Sequence, residues 1–215
     1  MRFKDRKAAG QFLAQKLEAY ANRQDVLVLA LPRGGVPVAF EIVKALNVPL
    51  DVFVVRKLGV PSQKELAMGA IASGGVRILN EEIVCEEKIS VKDIDRVTET
   101  EQKELERRER LYRSDRPIPV LCGRTIILVD DGLATGATMY AAILALQKHQ
   151  PAEIVLGVPV SSPQACHKFE VLVDKTICLA TPSPFYSVGF WYENFPQTTD
   201  GEVCDLLEVS RSMEF

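Results

Sequence analysis

Residues 126–138 most narrowly limit the folds open to this chain. Four apolar residues, Ile126 to Val129, are followed directly by the carboxylates Asp130 and Asp131, and a loop of small residues then leads into an apolar, helix-like stretch. This order predicts a buried strand, a tight loop and a helix. In open α/β sheets, ligands bind where such strands end. The segment therefore predicts two carboxylates at a ligand-binding edge.

The small residues of this loop suit an anion. They keep side chains out of the way, so backbone N–H groups and the dipole of the next helix can face a phosphate. Carboxylates repel phosphate, so Asp130 and Asp131 are expected to accept hydrogen bonds from vicinal sugar hydroxyls beside it. A P-loop would need Lys at position 137, which is Ala. The pattern favours a site for 5-phosphorylated ribose, and the alternative is that Asp131 and Thr138 are only turn and cap residues.

A second strand–loop–helix unit lies near the N-terminus. The apolar run Val26–Leu31 predicts a buried strand, Pro37–Leu46 a helix, and Leu50–Val55 another strand. Two further buried strands are predicted at Glu153–Val160 and Thr176–Ala180. A strand–helix–strand order implies a parallel sheet with right-handed crossovers. The fold class is therefore predicted as α/β, with a Rossmann-like parallel sheet and helices on both faces.

The rest of the chain predicts one domain, 1–215, with two additions. Residues 80–116 form a charged, inserted helical segment that starts near Ser90, and its charge indicates a solvated face or a subunit contact. Residues 181–215 form an aromatic tail and a final helix. Ser73-Gly74-Gly75 predicts a hairpin turn.

The run Val-Asp-Asp-Gly-Leu-Ala-Thr-Gly-Ala-Thr, residues 129–138, resembles the ribose-phosphate loop of type I phosphoribosyltransferases, especially adenine phosphoribosyltransferases. The resemblance implies Mg²⁺-dependent transfer of ribose 5-phosphate from phosphoribosyl pyrophosphate (PRPP) to a nitrogenous base or similar acceptor. It implies that Asp130 and Asp131 contact the ribose hydroxyls, and reach Mg²⁺ only indirectly, through those hydroxyls or water. The residues implied to wrap the phosphate are Ala134, Thr135, Gly136, Ala137 and Thr138.

The same resemblance extends to two other loops. Arg33, Gly34 and Gly35 are similar to the family's pyrophosphate loop, where glycines allow close backbone approach and Arg offers a planar fork. Arg56 and Lys57 are placed at the end of the second strand as pyrophosphate cations, followed by a lid over residues 58–68. Glu65 is placed to serve the incoming base, or else is a solvated loop residue.

The acceptor itself is not identified by the sequence. Ala134 stands where hypoxanthine–guanine enzymes have a catalytic aspartate, so the pattern disfavours a 6-oxopurine mechanism. Trp191 and Tyr192 either stack on a planar base or pack the C-terminal segment. The alternative to an enzyme is a non-catalytic protein of this fold that senses PRPP or a nucleotide.

Composition restricts the partners. A net charge of −3 gives no basic field for nucleic acid. The N-terminus lacks the apolar core of a signal peptide and no apolar run reaches membrane-spanning length, so a cytoplasmic location without membrane contact is expected. The five cysteines and two histidines show neither zinc-site nor disulfide spacing. The expected partners are PRPP and the acceptor, and a homodimer is left open.

Overall fold

The computed structural model describes residues 2–114 and 116–213, and the side chain of Glu65 lies outside the described part. The strands, in chain order, are β1 (Val26–Ala30), β2 (Leu50–Val52), β3 (Val55–Val60), β4 (Gln63–Ala72), β5 (Val76–Leu79), β6 (Thr125–Val129), β7 (Glu153–Val160) and β8 (Lys175–Ala180). The α-helices are α1 (Arg6–Lys16), α2 (Gly35–Leu46), α3 (Glu81–Glu86), α4 (Val91–Arg113), α5 (Ala137–Lys148), α6 (Pro163–Glu170) and α7 (Asp200–Arg211).

The chain divides into two compact units. The first, called the sheet unit, comprises Met1–Val52, Val120–Gly136 and Gln150–Phe215. The second, called the hairpin unit, comprises Phe53–Pro119 and Ala137–His149. Each unit is built from separate stretches of the chain. The single domain expected from the sequence stays a prediction.

The sheet unit contains a parallel sheet in the order β2-β1-β6-β7-β8. Every residue of β1 and of β6 is buried, as expected for central strands covered on both faces and rich in Val, Ile and Leu. Helices α1, α2, α6 and α7 of this unit contact the sheet. The predicted α/β fold with a parallel sheet is confirmed.

The register of the central strands places two loops at one edge. Ala30 of β1 pairs with Val129 of β6, so both strands end at the same level. One residue further on, the backbone N–H of Leu31 donates to the Val129 carbonyl at 2.9 Å. The loop after β1 and the loop after β6 therefore leave the sheet side by side.

The hairpin unit contains an antiparallel sheet in the order β3-β4-β5, which α3, α4 and α5 contact. Two sequence predictions are wrong here. Arg56 and Lys57 do not end the second strand, which stops at Val52, but lie in β3; residues 58–68 are mostly strand rather than a lid loop. The physical reason is that polar residues such as Lys57, Gln63 and Lys64 and the turn residues Pro61 and Ser62 interrupt the apolar pattern, although Leu58 and Met68 are buried.

Other expectations for this unit are confirmed. Gly74 and Gly75 both adopt positive φ, +88° and +74°, in the turn between β4 and β5. The Ser90 side chain caps α4 by accepting from the Asp93 backbone N–H. The segment 80–116 is helical over α3 and α4, which explains its charged, helix-favouring composition.

The N-terminus and the C-terminal segment of the sheet unit pack together. Phe3 and Tyr192 form a bridge between their backbones and lie in a cluster with Ala9 and Val160. Of the helices in the described stretches, none is both long and apolar enough to span a bilayer.

Candidate functional site

The carboxylate pair follows β6 directly. Asp130 accepts a hydrogen bond from the Asp131 backbone N–H at 2.8 Å, which fixes its side chain against the start of the loop. Burial and the neighbouring Asp131 carboxylate both raise the pKa of Asp130 well above its ordinary value. The pair is therefore poised to accept hydrogen bonds from a ligand that brings its own hydroxyl donors.

The loop after β1 lies directly against this pair. A Cβ at position 34 would overlap Oδ2 of Asp131, and one at position 35 would lie 2.7 Å from the Val129 carbonyl oxygen. Gly34 has ordinary helical dihedrals, φ −62° and ψ −30°, so its requirement is for space rather than for an unusual backbone. The structure thus brings together the loops after β1 and β6, which the sequence predicted to lie at the same edge of the sheet.

Arg33 completes that loop. Its side chain is about one-third exposed and lies 3.8 Å from the Asp200 carboxylate at the start of α7. The peptide bond between Pro32 and Arg33 is cis. At this exposure the guanidinium is accessible to an anionic ligand at the edge of the sheet.

Arg6 of helix α1 also reaches the carboxylate pair, and the sequence analysis missed it. Its Nε donates to Oδ2 of Asp131 at 2.8 Å, and its Nη1 donates to the Pro196 carbonyl at 2.7 Å. Its guanidinium carbon lies 3.7 Å from the centre of the Phe195 ring. Burial raises the pKa of Asp131, and the charge and hydrogen bond of Arg6 oppose that rise.

A signal for Arg6 was present in the sequence. Arg6, Ala9, Gly10 and Leu13 are spaced along one face of α1, and all are buried. Arginine is almost never fully buried unless it is paired. A cation on the apolar face of a predicted helix therefore indicates an acidic partner, although it does not say which one.

The aromatic tail packs beneath this site. Tyr192 is only 3% exposed, its ring stacks on Phe195 with centroids 4.8 Å apart, and its hydroxyl donates to the Asp131 carbonyl at 2.6 Å. Trp191 is partly buried and its ring meets Phe190 edge-on. Of the two roles open for Tyr192, the structure supports packing, because the ring has no free face for a planar base.

The loop after the carboxylates is pinned by its neighbours. The Ser162 hydroxyl donates to the Ala134 carbonyl at 2.8 Å, and the Leu133 N–H donates to the Val160 carbonyl. Gly136 has φ +70°, and a side chain there would meet the Phe169 ring at 2.6 Å. Thr135 is exposed. The loop is thus a constrained turn with small residues facing solvent, as an anion cradle requires.

Ala137 and Thr138, the last two residues of the predicted phosphate loop, are the first two of α5 and belong to the hairpin unit. Both are exposed. The predicted change from loop to helix is confirmed, but the helix begins two residues earlier than the sequence indicated, at Ala137.

A cavity of about 490 Å³ opens beside the two loops of the sheet unit. Charged and polar groups share its lining with apolar ones: Arg6, Arg33, Gly34, Asp131, Val188, Phe195, Pro196, Gln197 and Thr198. Two arginines and one carboxylate give it a net positive lining. Such a cavity suits an anionic ligand that also presents hydroxyl groups.

The remaining predicted residues lie in the hairpin unit. Arg56 donates to Oε2 of Glu101 on α4, through Nε at 2.8 Å and Nη2 at 2.6 Å. Arg56 and Lys57 line a separate cavity of about 590 Å³ within this unit. Glu65 lies in β4, with its side chain outside the described part. The catalytic roles implied for these three residues stay predictions.

The described residues were expected to contain no cluster with zinc-site spacing. Within residues 2–114 and 116–213, no group of three or more His, Cys, Asp or Glu side chains is arranged to hold a metal ion. None of the five cysteines, all of which lie in the described stretches, forms a disulfide. Asp130 and Asp131 remain as a pair of oxygen donors.

The chain is similar to known proteins over most of its length. Residues 3–178 match the family model described as phosphoribosyl transferase domain. Two Mycobacterium tuberculosis proteins, provisionally named phosphoribosyl transferases MT0597 (strain CDC 1551 / Oshkosh) and Rv0571c (strain ATCC 25618 / H37Rv), are each 47% identical over 206 residues, which is 96% of this chain and 46% of theirs. The chain thus spans about half the length of these relatives.

Solved structures show the same fold. The protein TT1426 from Thermus thermophilus superimposes with a TM-score of 0.86 at 37% identity, covering 96% of this chain and 98% of that one. A hypothetical protein from Neisseria gonorrhoeae with bound ppGpp has a TM-score of 0.50 at 14% identity, over 98% and 99% of the two chains, a likeness of fold alone. With the family model matching most of its length, the chain belongs to the phosphoribosyl transferase domain family.

Proposed function

We propose that this protein transfers ribose 5-phosphate from PRPP to a nitrogenous base or similar acceptor and releases pyrophosphate. The observation that carries the proposal is the contact between Asp131 and Gly34, whose position leaves no room for a Cβ. This contact joins a carboxylate pair suited to ribose hydroxyls with a loop suited to pyrophosphate. PRPP carries those two groups on neighbouring carbon atoms.

Different residues bind the different parts of PRPP. Asp130 and Asp131 accept hydrogen bonds from the ribose diol, and residues 134–138 surround the 5-phosphate with backbone N–H groups and the hydroxyls of Thr135 and Thr138. Arg33, with Gly34 and Gly35, holds the pyrophosphate. Bond cleavage at ribose C1 builds positive charge on the sugar and negative charge on the leaving group. Fixed dipoles and the Arg33 guanidinium stabilise the departing pyrophosphate.

Mg²⁺ fits this donor set. Magnesium is commonly held by one or two carboxylates, water and substrate phosphates, and Asp130 and Asp131 supply carboxylate oxygens at the edge of the sheet. One of the oxygens of Asp131 is already engaged by Arg6, which leaves the pair suited to indirect contact through ribose hydroxyls or water. When bound, Mg²⁺ neutralises charge on the pyrophosphate.

Arg56, Lys57 and Glu65 are proposed, by family resemblance, as further pyrophosphate and acceptor residues. Support for Arg56 and Lys57 is their position in a cavity lined also by Lys64 and Arg96, which is rich in positive charge. Ala134 in place of an aspartate continues to favour an acceptor other than a 6-oxopurine. The acceptor class is otherwise open, since Tyr192 is committed to packing.

The test is pyrophosphate release. Purified protein is incubated with PRPP, Mg²⁺ and a panel of purine, pyrimidine and other nitrogen bases, and release is followed with a coupled assay. We expect turnover with at least one acceptor, and no turnover after Asp130→Asn combined with Asp131→Asn. Tight PRPP binding without turnover on any acceptor would support the alternative, a PRPP sensor. Unchanged PRPP affinity in the double variant would overturn the site.

A further inference from the structure

Arg6 is a charged residue on a face that is otherwise apolar. Helix α1 buries Ala9, Leu13 and Ala14 along the same side, and the Arg6 side chain is only 10% exposed. Burying a guanidinium without partners is strongly unfavourable, so its position requires compensation. The compensation comes from the carboxylate that the proposed function assigns to ribose.

The partners of Arg6 differ in kind and hold it from several directions. Asp131 Oδ2 accepts from Nε at 2.8 Å, the Pro196 carbonyl accepts from Nη1 at 2.7 Å, and the Phe195 ring covers the face of the guanidinium at 3.7 Å. A planar guanidinium with two hydrogen bonds and a stacked ring has little rotational freedom. Arg6 therefore restricts the orientation of the Asp131 carboxylate.

Asp131 is restrained at its backbone as well. The Tyr192 hydroxyl donates to its carbonyl oxygen at 2.6 Å, and Gly34 closes one side of the carboxylate. With Oδ2 engaged by Arg6, Oδ1 is the Asp131 oxygen not committed to this arginine. Both Arg6 and Asp131 line the 490 Å³ cavity of the sheet unit.

From this geometry we propose that Arg6 is a positioning residue for sugar recognition. By occupying Oδ2 and fixing the carboxylate plane, it presents Oδ1 to one ribose hydroxyl and makes the site select ribose 5-phosphates over their deoxy analogues. This inference rests on the proposed function, because it concerns the same site. It assigns to helix α1 a role in ligand selectivity that neither loop of the site supplies by itself.

Arg2 offers a matched control. Like Arg6, it donates to a backbone carbonyl, here from Nε to Phe190 at 2.7 Å, and it lies over an aromatic ring, 4.7 Å from the Phe190 centroid. Neither of these contacts involves a carboxylate. Arg2→Gln therefore removes an arginine with carbonyl and ring contacts from the same end of the chain without altering Asp131.

The experiment measures affinity for ribose 5-phosphate and for its 2-deoxy and 3-deoxy analogues by titration calorimetry. The proteins compared are the wild type, Arg6→Gln, Arg6→Lys and Arg2→Gln. Only the analogue that lacks the hydroxyl bound by Asp131 loses a hydrogen bond to a charged group. The wild type should therefore bind ribose 5-phosphate about tenfold or more tightly than that analogue. We expect Arg6→Gln to reduce that preference to about twofold, and Arg2→Gln to keep it.

Arg6→Lys is expected to recover part of the preference, since an ammonium group can donate to Asp131 but cannot hold the carbonyl of Pro196 in the same plane. If circular dichroism shows that Arg6→Gln does not fold, the preference is measured on Arg6→Lys instead. An unchanged preference in Arg6→Gln, whether or not all three affinities fall together, would overturn the role of Arg6 while leaving the site intact. Wild-type protein that binds none of these sugars nor PRPP would instead overturn the proposed function, and this role with it.

Discussion

At the scale of single residues, Asp130 occupies a position that opposes its own ionisation. The surrounding protein and the Asp131 carboxylate both raise its pKa. For the ribose site proposed above, an ionised carboxylate is a stronger hydrogen-bond acceptor than a neutral amide. Under that proposal, ligand binding and stability place opposite demands on this residue.

Asp130→Asn is expected to stabilise the folded protein at neutral pH. With a raised pKa in the folded state, the wild-type carboxyl favours folding below its ordinary pKa, and this advantage is lost as the pH rises through the folded-state value. Asn has no charge to lose. The variant should therefore have a larger free energy of unfolding than the wild type near pH 8, and this gain should shrink towards pH 4.

The free energy of unfolding is measured by urea denaturation for the variant and the wild type at pH 4 and at pH 8, and the gain is the difference between the two proteins at each pH. The control is Asp205→Asn on the solvent side of α7, where the side chain is exposed. As a substitution of an exposed side chain, it should change the free energy of unfolding by less than about 0.5 kcal/mol. A gain for Asp130→Asn that stays constant across the pH range would show that charge burial is not its cause.

Gly34→Ala is expected to weaken PRPP binding by about tenfold or more, as for loss of a charged hydrogen bond. The new methyl group would overlap Oδ2 of Asp131 and lie 2.6 Å from its Cγ, and Arg6 restrains the carboxylate from turning away. Because the dihedrals of Gly34 suit alanine, the effect isolates the steric clash.

Affinity for PRPP with Mg²⁺ is measured by calorimetry, beside Gly201→Ala as control. A Cβ at position 201 would contact only the Thr199 hydroxyl, at 3.8 Å, and we expect wild-type affinity there. Wild-type affinity in Gly34→Ala would show that Asp131 can move without consequence for the ligand.

The local part of the site could be predicted from the sequence, and the long-range part could not. Asp130, Asp131 and the glycines of the β1 loop belong to short motifs whose strand–loop–helix order fixes their place at the sheet edge. Arg6 and Tyr192 reach Asp131 across 125 and 61 positions of the chain. No local pattern encodes those pairings, because they depend on how α1 and the C-terminal segment pack.

At the scale of elements, strands that form a clear apolar run could be predicted, and the β3–β4 hairpin could not. β1 is apolar throughout, β6 and β7 are apolar after their first residue, and all three were predicted within one residue of their ends. β3 and β4 contain polar residues such as Lys57, Gln63 and Lys64 beside buried ones, and their pairing has register shifts on either side of Gly59. Such a pattern resembles a polar loop, and the loop conformation predicted for residues 58–68 was wrong for that reason, while their role as a lid stays a prediction.

Leu58→Ala tests whether residues 58–68 form a packed hairpin or an unpacked loop. Leu58 is fully buried in β3, so truncation should cost about 2–5 kcal/mol of unfolding free energy. Val91→Ala, at the start of α4 and 73% exposed, should change it by less than about 0.5 kcal/mol. Both are measured by urea denaturation. Similar small effects for the two variants would indicate that residues 58–68 behave as a loop.

At the scale of the whole molecule, the chain interleaves its two units, since the sheet unit takes three separate stretches and the hairpin unit two. Neither unit can be cut out at one linker. The proposed function is therefore best tested on the full chain, where a ligand that binds only the folded state raises the free energy of unfolding with the logarithm of its concentration above the dissociation constant.

PRPP with Mg²⁺ is expected to raise the free energy of unfolding by about 2.7 kcal/mol when the free ligand is at 100 times its dissociation constant. Removing the metal with EDTA should abolish most of this gain, because the uncompensated charge of the pyrophosphate then lies close to two carboxylates. Thermal unfolding of the full chain measures both. The Asp130→Asn, Asp131→Asn double variant should show no gain under either condition. An equal gain with EDTA would exclude a requirement for the metal, and an equal gain in the double variant would place the ligand elsewhere on the protein.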